Sequence, residues 1–132
     1  MEQGSIRRIR IGVKGLAVTA ALFCLGLMLW SGRPGDPLWW LAALFFMIWA
    51  FAPYAVLWVA SRRSLSQMAA AIALLVGALL CIGIGLGIYI DGFLLADPPD
   101  AQVGLLFLFI PPWQILLAVI TWATSLALER RH

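Results

Sequence analysis

The sequence predicts an all-α integral membrane protein, a bundle of four transmembrane helices joined by short loops. Of its 132 residues, 64% are hydrophobic and only 11% are charged. A soluble domain is roughly half apolar and about a quarter charged, so a water-soluble fold is excluded. The apolar residues also fall into four long runs that use nearly the whole chain. Residues 1–132 are therefore predicted to form a single four-span membrane domain.

The predicted spans cover residues 11–30, 38–60, 68–90 and 103–128. A helix that crosses a bilayer needs about 20 mostly apolar residues, and each run reaches that length. The runs lack the apolar and polar alternation of a membrane β-strand, and lipid tolerates no unpaired backbone. Helix is therefore the predicted structure of every span.

Positive charge falls on alternate loops. Of the nine Lys and Arg residues, eight lie before or in the first turn of the first predicted span, between the second and third, or after the fourth, and only Arg33 lies elsewhere. Short loops rich in Lys and Arg remain in the cytoplasm, so both termini are predicted to be cytoplasmic. The chain is rich in Ala, Gly and Leu and has far more Arg than Lys, which is typical of a GC-rich bacterial genome. We therefore expect a multi-pass protein of the bacterial inner membrane.

Aromatic residues gather near the predicted span ends, as in the interfacial belts of membrane proteins. They are Trp30, Trp39, Trp40 and Tyr89 at the outer ends and Trp58 at the inner end. A ligand-binding cage is the alternative interpretation of the Trp39 and Trp40 pair. The basic segment 6–11 is predicted to lie at the inner lipid surface, where each basic residue gains about 1 kcal/mol from anionic headgroups, rather than to bind nucleic acid.

The spans carry no Asp, Glu, Lys, Arg or His at depth, and the single histidine is the last residue. Ionisable groups inside a membrane usually mark transport pathways or proton relays. The chain also shows no nucleophile beside a base, no metal-ligand cluster and no phosphate-binding glycine loop. The protein is therefore predicted not to be an enzyme, and to have no catalytic, cofactor or metal site. Cys24 and Cys81 are predicted to act as small apolar fillers.

The polar side chains within the spans cluster on the fourth. Gln114, Ala118, Thr121 and Ser125 recur at helical spacing and so share one face of that helix. This face is predicted to turn inward, and Gln114 could equally contact a helix of a partner protein.

Prolines interrupt two spans. Pro111 and Pro112 cannot donate backbone hydrogen bonds, nor can Pro53, which precedes Tyr54 in the second span. A kink is predicted at each place. Paired kinks can build a binding site in transporters, but the favoured interpretation is that neighbouring groups satisfy the freed carbonyls.

The third span carries small residues at intervals of four. One ridge consists of Ala69, Ala73, Gly77, Cys81 and Gly85, and Gly83 with Gly87 forms a second small pair. Such ridges permit close approach between helices. They are predicted to serve packing inside the bundle, with a dimer seam as the alternative.

The loop between the third and fourth spans, residues 91–102, is predicted to be stiffened by its two prolines. Its candidate recognition residues are Asp91, Phe93, Asp97 and Asp100, of which Asp100 is predicted to cap the fourth helix. The favoured interpretation is that Asp97 and Asp100 keep the loop outside and start the next helix. Partner recognition by the apolar stretch that starts at Phe93, or its insertion into the outer lipid surface, are the alternatives.

Together these features predict a small, non-enzymatic inner-membrane protein that acts through helix contacts. The expected partners are the lipid bilayer and another membrane protein or a second copy of the chain, with no nucleic acid and no cofactor. An accessory subunit, an assembly factor and an immunity protein against a pore-forming toxin all fit this class. The alternative is an oligomeric channel or carrier for a neutral solute, lined by the polar face of the fourth span.

Overall fold

The computed structural model describes residues 2–32, 34–92 and 106–131. These residues contain four α-helices and no strand: α1 (Glu2–Ser31), α2 (Pro37–Arg62), α3 (Met68–Ile90) and α4 (Leu106–Arg130). All four helices are long and apolar enough to cross a membrane. The predicted all-helical fold with four candidate spans is therefore confirmed.

Helix α1 begins nine residues before the predicted span, at Glu2 rather than residue 11. At 1.5 Å per residue its length is about 45 Å, more than the roughly 30 Å of a bilayer core. Ile6 and Val13 are 1% and 0% exposed and extend the buried face of the helix. The basic segment is thus part of α1, because charged residues end an apolar run without ending a helix.

Helix α2 begins with a cap and a proline. The Oδ1 atom of Asp36 accepts a hydrogen bond from Leu38 N at 3.0 Å, and Pro37 occupies the first turn, where a missing N–H breaks no helical bond. Trp40 Nε1 donates to Pro34 O at 2.8 Å, and the Trp39 and Trp40 rings meet edge to face at 4.9 Å. The two tryptophans therefore pack at the short α1–α2 loop.

The helices pack around a ring in the order α1, α2, α4, α3. Helix α1 packs extensively against α2 and α3, and α4 packs extensively against the same two helices, whereas α2 and α3 barely touch. Many of the buried side chains are small, among them Ala17, Ala20, Ala43, Ala50, Ala70, Ala71, Ala78 and Ala118. Small side chains allow the helix backbones to approach closely.

The N-terminus, the C-terminus and the α2–α3 loop lie at the same end of the molecule. The Glu129 carboxylate near the end of α4 accepts hydrogen bonds from Ser66 N at 2.8 Å and Gln67 N at 3.1 Å. Arg10 Nη2 in α1 donates to Arg62 O at 2.8 Å. The free backbone groups at the start of α3 and the end of α2 are thus capped by side chains from other helices. The four helices therefore alternate in direction.

Candidate functional site

The polar face of α4 is buried against α3. Gln114, Thr121 and Ser125 are only 2%, 7% and 3% exposed. Ser125 Oγ donates to Ala70 O at 3.0 Å. Since lipid offers no hydrogen-bond partners, a polar side chain in a span must find one within the protein, and Ser125 finds it on α3.

Two glycines of α3 make room for that polar face. A Cβ atom at Gly77 would collide with the side chain of Thr121, and one at Gly85 would collide with the amide of Gln114. We call this contact the α3–α4 seam, formed by Ala70, Gly77 and Gly85 with Gln114, Thr121 and Ser125. Three members of the small ridge noted in the sequence, Gly77, Cys81 and Gly85, therefore face the polar stripe, whereas Ala69 of that ridge is exposed.

The second pair of small residues in α3, Gly83 and Gly87, does not face α4. Gly83 and Gly87 are exposed, and a Cβ atom added to either would meet no atom within 4 Å. The glycines of α3 thus divide into an inward pair, Gly77 and Gly85, and an outward pair, Gly83 and Gly87.

A buried polar node, one residue from each helix, lies at the end of the seam nearest Gly85. It consists of Cys24, Tyr54, Cys81 and Gln114. Gln114 Nε2 donates to Tyr54 Oη at 3.1 Å and to Cys81 O at 3.1 Å. Cys81 Sγ donates to Gln114 O at 3.3 Å, and Cys24 Sγ lies 3.5 Å from Tyr54 Oη. Hydrogen bonds therefore link all four helices at this point.

The polar node connects the four helices by hydrogen bonds. Hydrogen bonds between membrane helices contribute about 0.6 kcal/mol on average and up to about 1–2 kcal/mol, so the node contributes a modest sum. The Gln114 Oε1 atom is buried and accepts no hydrogen bond from any described residue. The two cysteines, expected only to fill space, are free thiols that take part in these bonds. Their type and position alone gave no signal of a polar neighbour.

The helices continue through their prolines. Helix α2 contains Pro53 and α4 contains Pro111 and Pro112. The carbonyl of Leu108, which Pro112 cannot satisfy, instead accepts a hydrogen bond from Trp49 Nε1 of α2 at 3.1 Å. A neighbouring helix therefore supplies the missing donor at this carbonyl, and the predicted kinks stay predictions.

Only Asp91 of the four predicted loop residues is described. Its backbone N–H donates to the carbonyls of Gly87 and Ile88 and so closes the end of α3, while the residue is exposed. Phe93, Asp97 and Asp100 lie outside the described residues, and their part in recognition stays a prediction.

The length and apolarity of the four helices define the class of a multi-pass helical membrane protein. In this one, buried polar side chains of α4 form hydrogen bonds with α2 and α3. Comparison with known proteins adds no narrower identity, since no family model, no curated protein and no solved structure matches this chain.

The two glycine pairs should respond differently to added side-chain volume. Gly85→Val is expected to lower the free energy of unfolding by about 1–3 kcal/mol, because the new side chain displaces Gln114 from the seam. Gly83→Val, on the same helix, is expected to change it by less than about 0.5 kcal/mol. Denaturant unfolding in detergent micelles, followed by circular dichroism, measures both. Equal losses would contradict the placement of the seam.

Proposed function

We propose that the protein acts by binding another membrane protein through the outer face of α3. We define this face by four exposed residues, Leu80, Gly83, Ile84 and Gly87. The observation that carries the proposal is the open space beside Gly83 and Gly87. Glycines spaced four apart permit a second helix to pack closely.

The outward glycines have no role within the described chain. Glycine in a helix costs about 1 kcal/mol relative to alanine, and at Gly77 and Gly85 the contact with α4 offsets that cost. Gly83 and Gly87 gain no such contact from the described residues. A helix from another protein, seated between Leu80 and Ile84, would supply it.

The kind of partner follows from what the surface offers. The outer face of α3 is apolar and small, so it fits a transmembrane helix of another protein. An accessory subunit, an assembly factor and an immunity protein that blocks a membrane-inserted toxin would each work by such a contact. None of these roles requires a reaction, and all of them require a stable bundle that presents the face.

Larger side chains on the outer face of α3 should prevent the protein from binding its partner. We expect native mass spectrometry of the protein, extracted in mild detergent from its own membrane without overexpression, to show a second protein in stoichiometric amount. The double variant G83I/G87I should lose it, because branched side chains hold the partner helix away.

The matched control is Gly26→Ile in α1. Gly26 is also exposed, with no atom within 4 Å of an added Cβ, and it lies at a comparable distance from the end of its helix. This control should keep the partner. Extraction of the wild-type protein without any second protein, or equal retention by both variants, would contradict the proposal.

A channel or carrier for a neutral solute is the second candidate and has less support. Its proposed lining, the polar face of α4, is turned towards α3, and the Gln114 and Ser125 side chains donate to atoms of the same chain. Gln114→Leu separates the two functions. Partner binding should survive this substitution with a stability loss of about 1–2 kcal/mol. A solute flux in liposomes that the wild type shows and Gln114→Leu abolishes would favour the channel instead.

We also propose that the protein lies in a bacterial inner membrane with both termini in the cytoplasm. The support is the end of the molecule where the termini and the α2–α3 loop meet, which carries eight of the nine Lys and Arg residues. A fluorescent protein fused after His132 should fold and fluoresce, and alkaline phosphatase at the same position should be inactive. Phosphatase inserted after Gly35 should be active. The reverse pattern would refute this orientation.

A further inference from the structure

An open groove runs between α1 and α2 on the side of the bundle away from the α3–α4 seam. It encloses about 300 Å³. The small side chains of Ala17, Ala21 and Ala55 leave the space, and the aromatic rings of Phe51 and Trp58 border it. Almost all of the atoms that line it are apolar. Its size is at the lower end of the range for small-molecule sites.

Two cations lie beyond one end of this groove. Lys14 precedes Ala17 by one turn of α1, and side chains of a helix lean towards its N-terminus. Arg62 follows Trp58 by one turn of α2, and its guanidinium carbon lies 4.8 Å from the centre of the Trp58 ring. The two cations belong to the same end of the molecule, because Arg10 of α1 donates to Arg62 O at 2.8 Å.

The charge at this end of the groove is not neutralised locally. Within the described residues neither Lys14 nor Arg62 forms an ion pair, and the nearby Glu129 carboxylate is engaged by Ser66 and Gln67 in front of α3. Arg62 keeps the edge of its guanidinium available while its face covers Trp58, since stacking and hydrogen bonding use different parts of that group.

We propose that the α1–α2 groove binds one anionic phospholipid, with an acyl chain in the apolar groove and the phosphate at Lys14 and Arg62. The occupant follows from complementarity: an apolar trough in a membrane span that ends in two cations matches a molecule with an apolar chain and an anionic head. A zwitterionic phospholipid offers the same chain with a weaker electrostatic match. The site lies on α1 and α2 and so is independent of the partner face of α3.

The headgroup half of the proposal is tested by competition between lipids. The purified protein is reconstituted in vesicles of equal phosphatidylcholine and phosphatidylglycerol, extracted in mild detergent and examined by native mass spectrometry. The wild type should retain one phosphatidylglycerol. K14Q/R62Q should retain about twenty-five-fold less, at about fivefold for each charge removed. R7Q/R8Q removes two exposed charges from the same end of α1 and should retain the lipid.

The acyl-chain half is tested by filling the groove. Ala55→Phe should abolish lipid retention, because the ring occupies the space between α1 and α2. Ala42→Phe, at another exposed position of α2, should retain the lipid. Circular dichroism and monodisperse elution verify that each variant is folded. The proposal is overturned if the wild type retains no lipid, if it retains both lipids equally, or if Ala55→Phe retains as much phosphatidylglycerol as the wild type.

Discussion

The close approach of α3 and α4 at Gly85 is the contact on which the rest of the bundle depends. Because Gly85 has no side chain, the amide of Gln114 reaches both the Cys81 carbonyl and the Tyr54 hydroxyl. Lipid cannot hydrogen-bond these groups, so they must be satisfied by each other. Through Tyr54 the same network extends to Cys24 on α1, and hydrogen bonds that begin at one seam thereby reach all four helices.

Two pairs of glycines on one helix have different environments. Gly77 and Gly85 are covered by α4, whereas Gly83 and Gly87 are open. Both pairs relax the same steric limit on helix approach, but only the first is used within the described chain. A small membrane protein can recognise a partner by shape when most of its polar side chains form hydrogen bonds inside its own bundle. At a helix surface, positions without a side chain determine that shape.

At one end of the molecule, charged residues have several different roles. Arg10 caps the carbonyls at the end of α2, and Glu129 caps the N–H groups in front of α3. Lys14 and Arg62 have no such role and lie beyond the apolar groove. The positive charge from which we infer the membrane orientation thus includes Arg10, which binds the end of α2, and the two cations at the proposed lipid site.

The sequence by itself determined the helical fold, and the predicted spans agree with seven of the eight helix ends to within three residues. Uninterrupted apolar length is a local property, and a bilayer requires it to become helix. Helix α1 begins nine residues before the predicted span, since a charged stretch such as Arg7 and Arg8 does not stop helical hydrogen bonding. The polar stripe of α4 and the small ridge of α3 were both visible as periodic patterns. Only the tertiary structure decided that part of the ridge faces the stripe, that Cys24 and Cys81 join the polar node, and that Trp49 satisfies the Leu108 carbonyl. These contacts join residues at least 30 positions apart, and periodicity along one helix carries no information about which helix lies opposite.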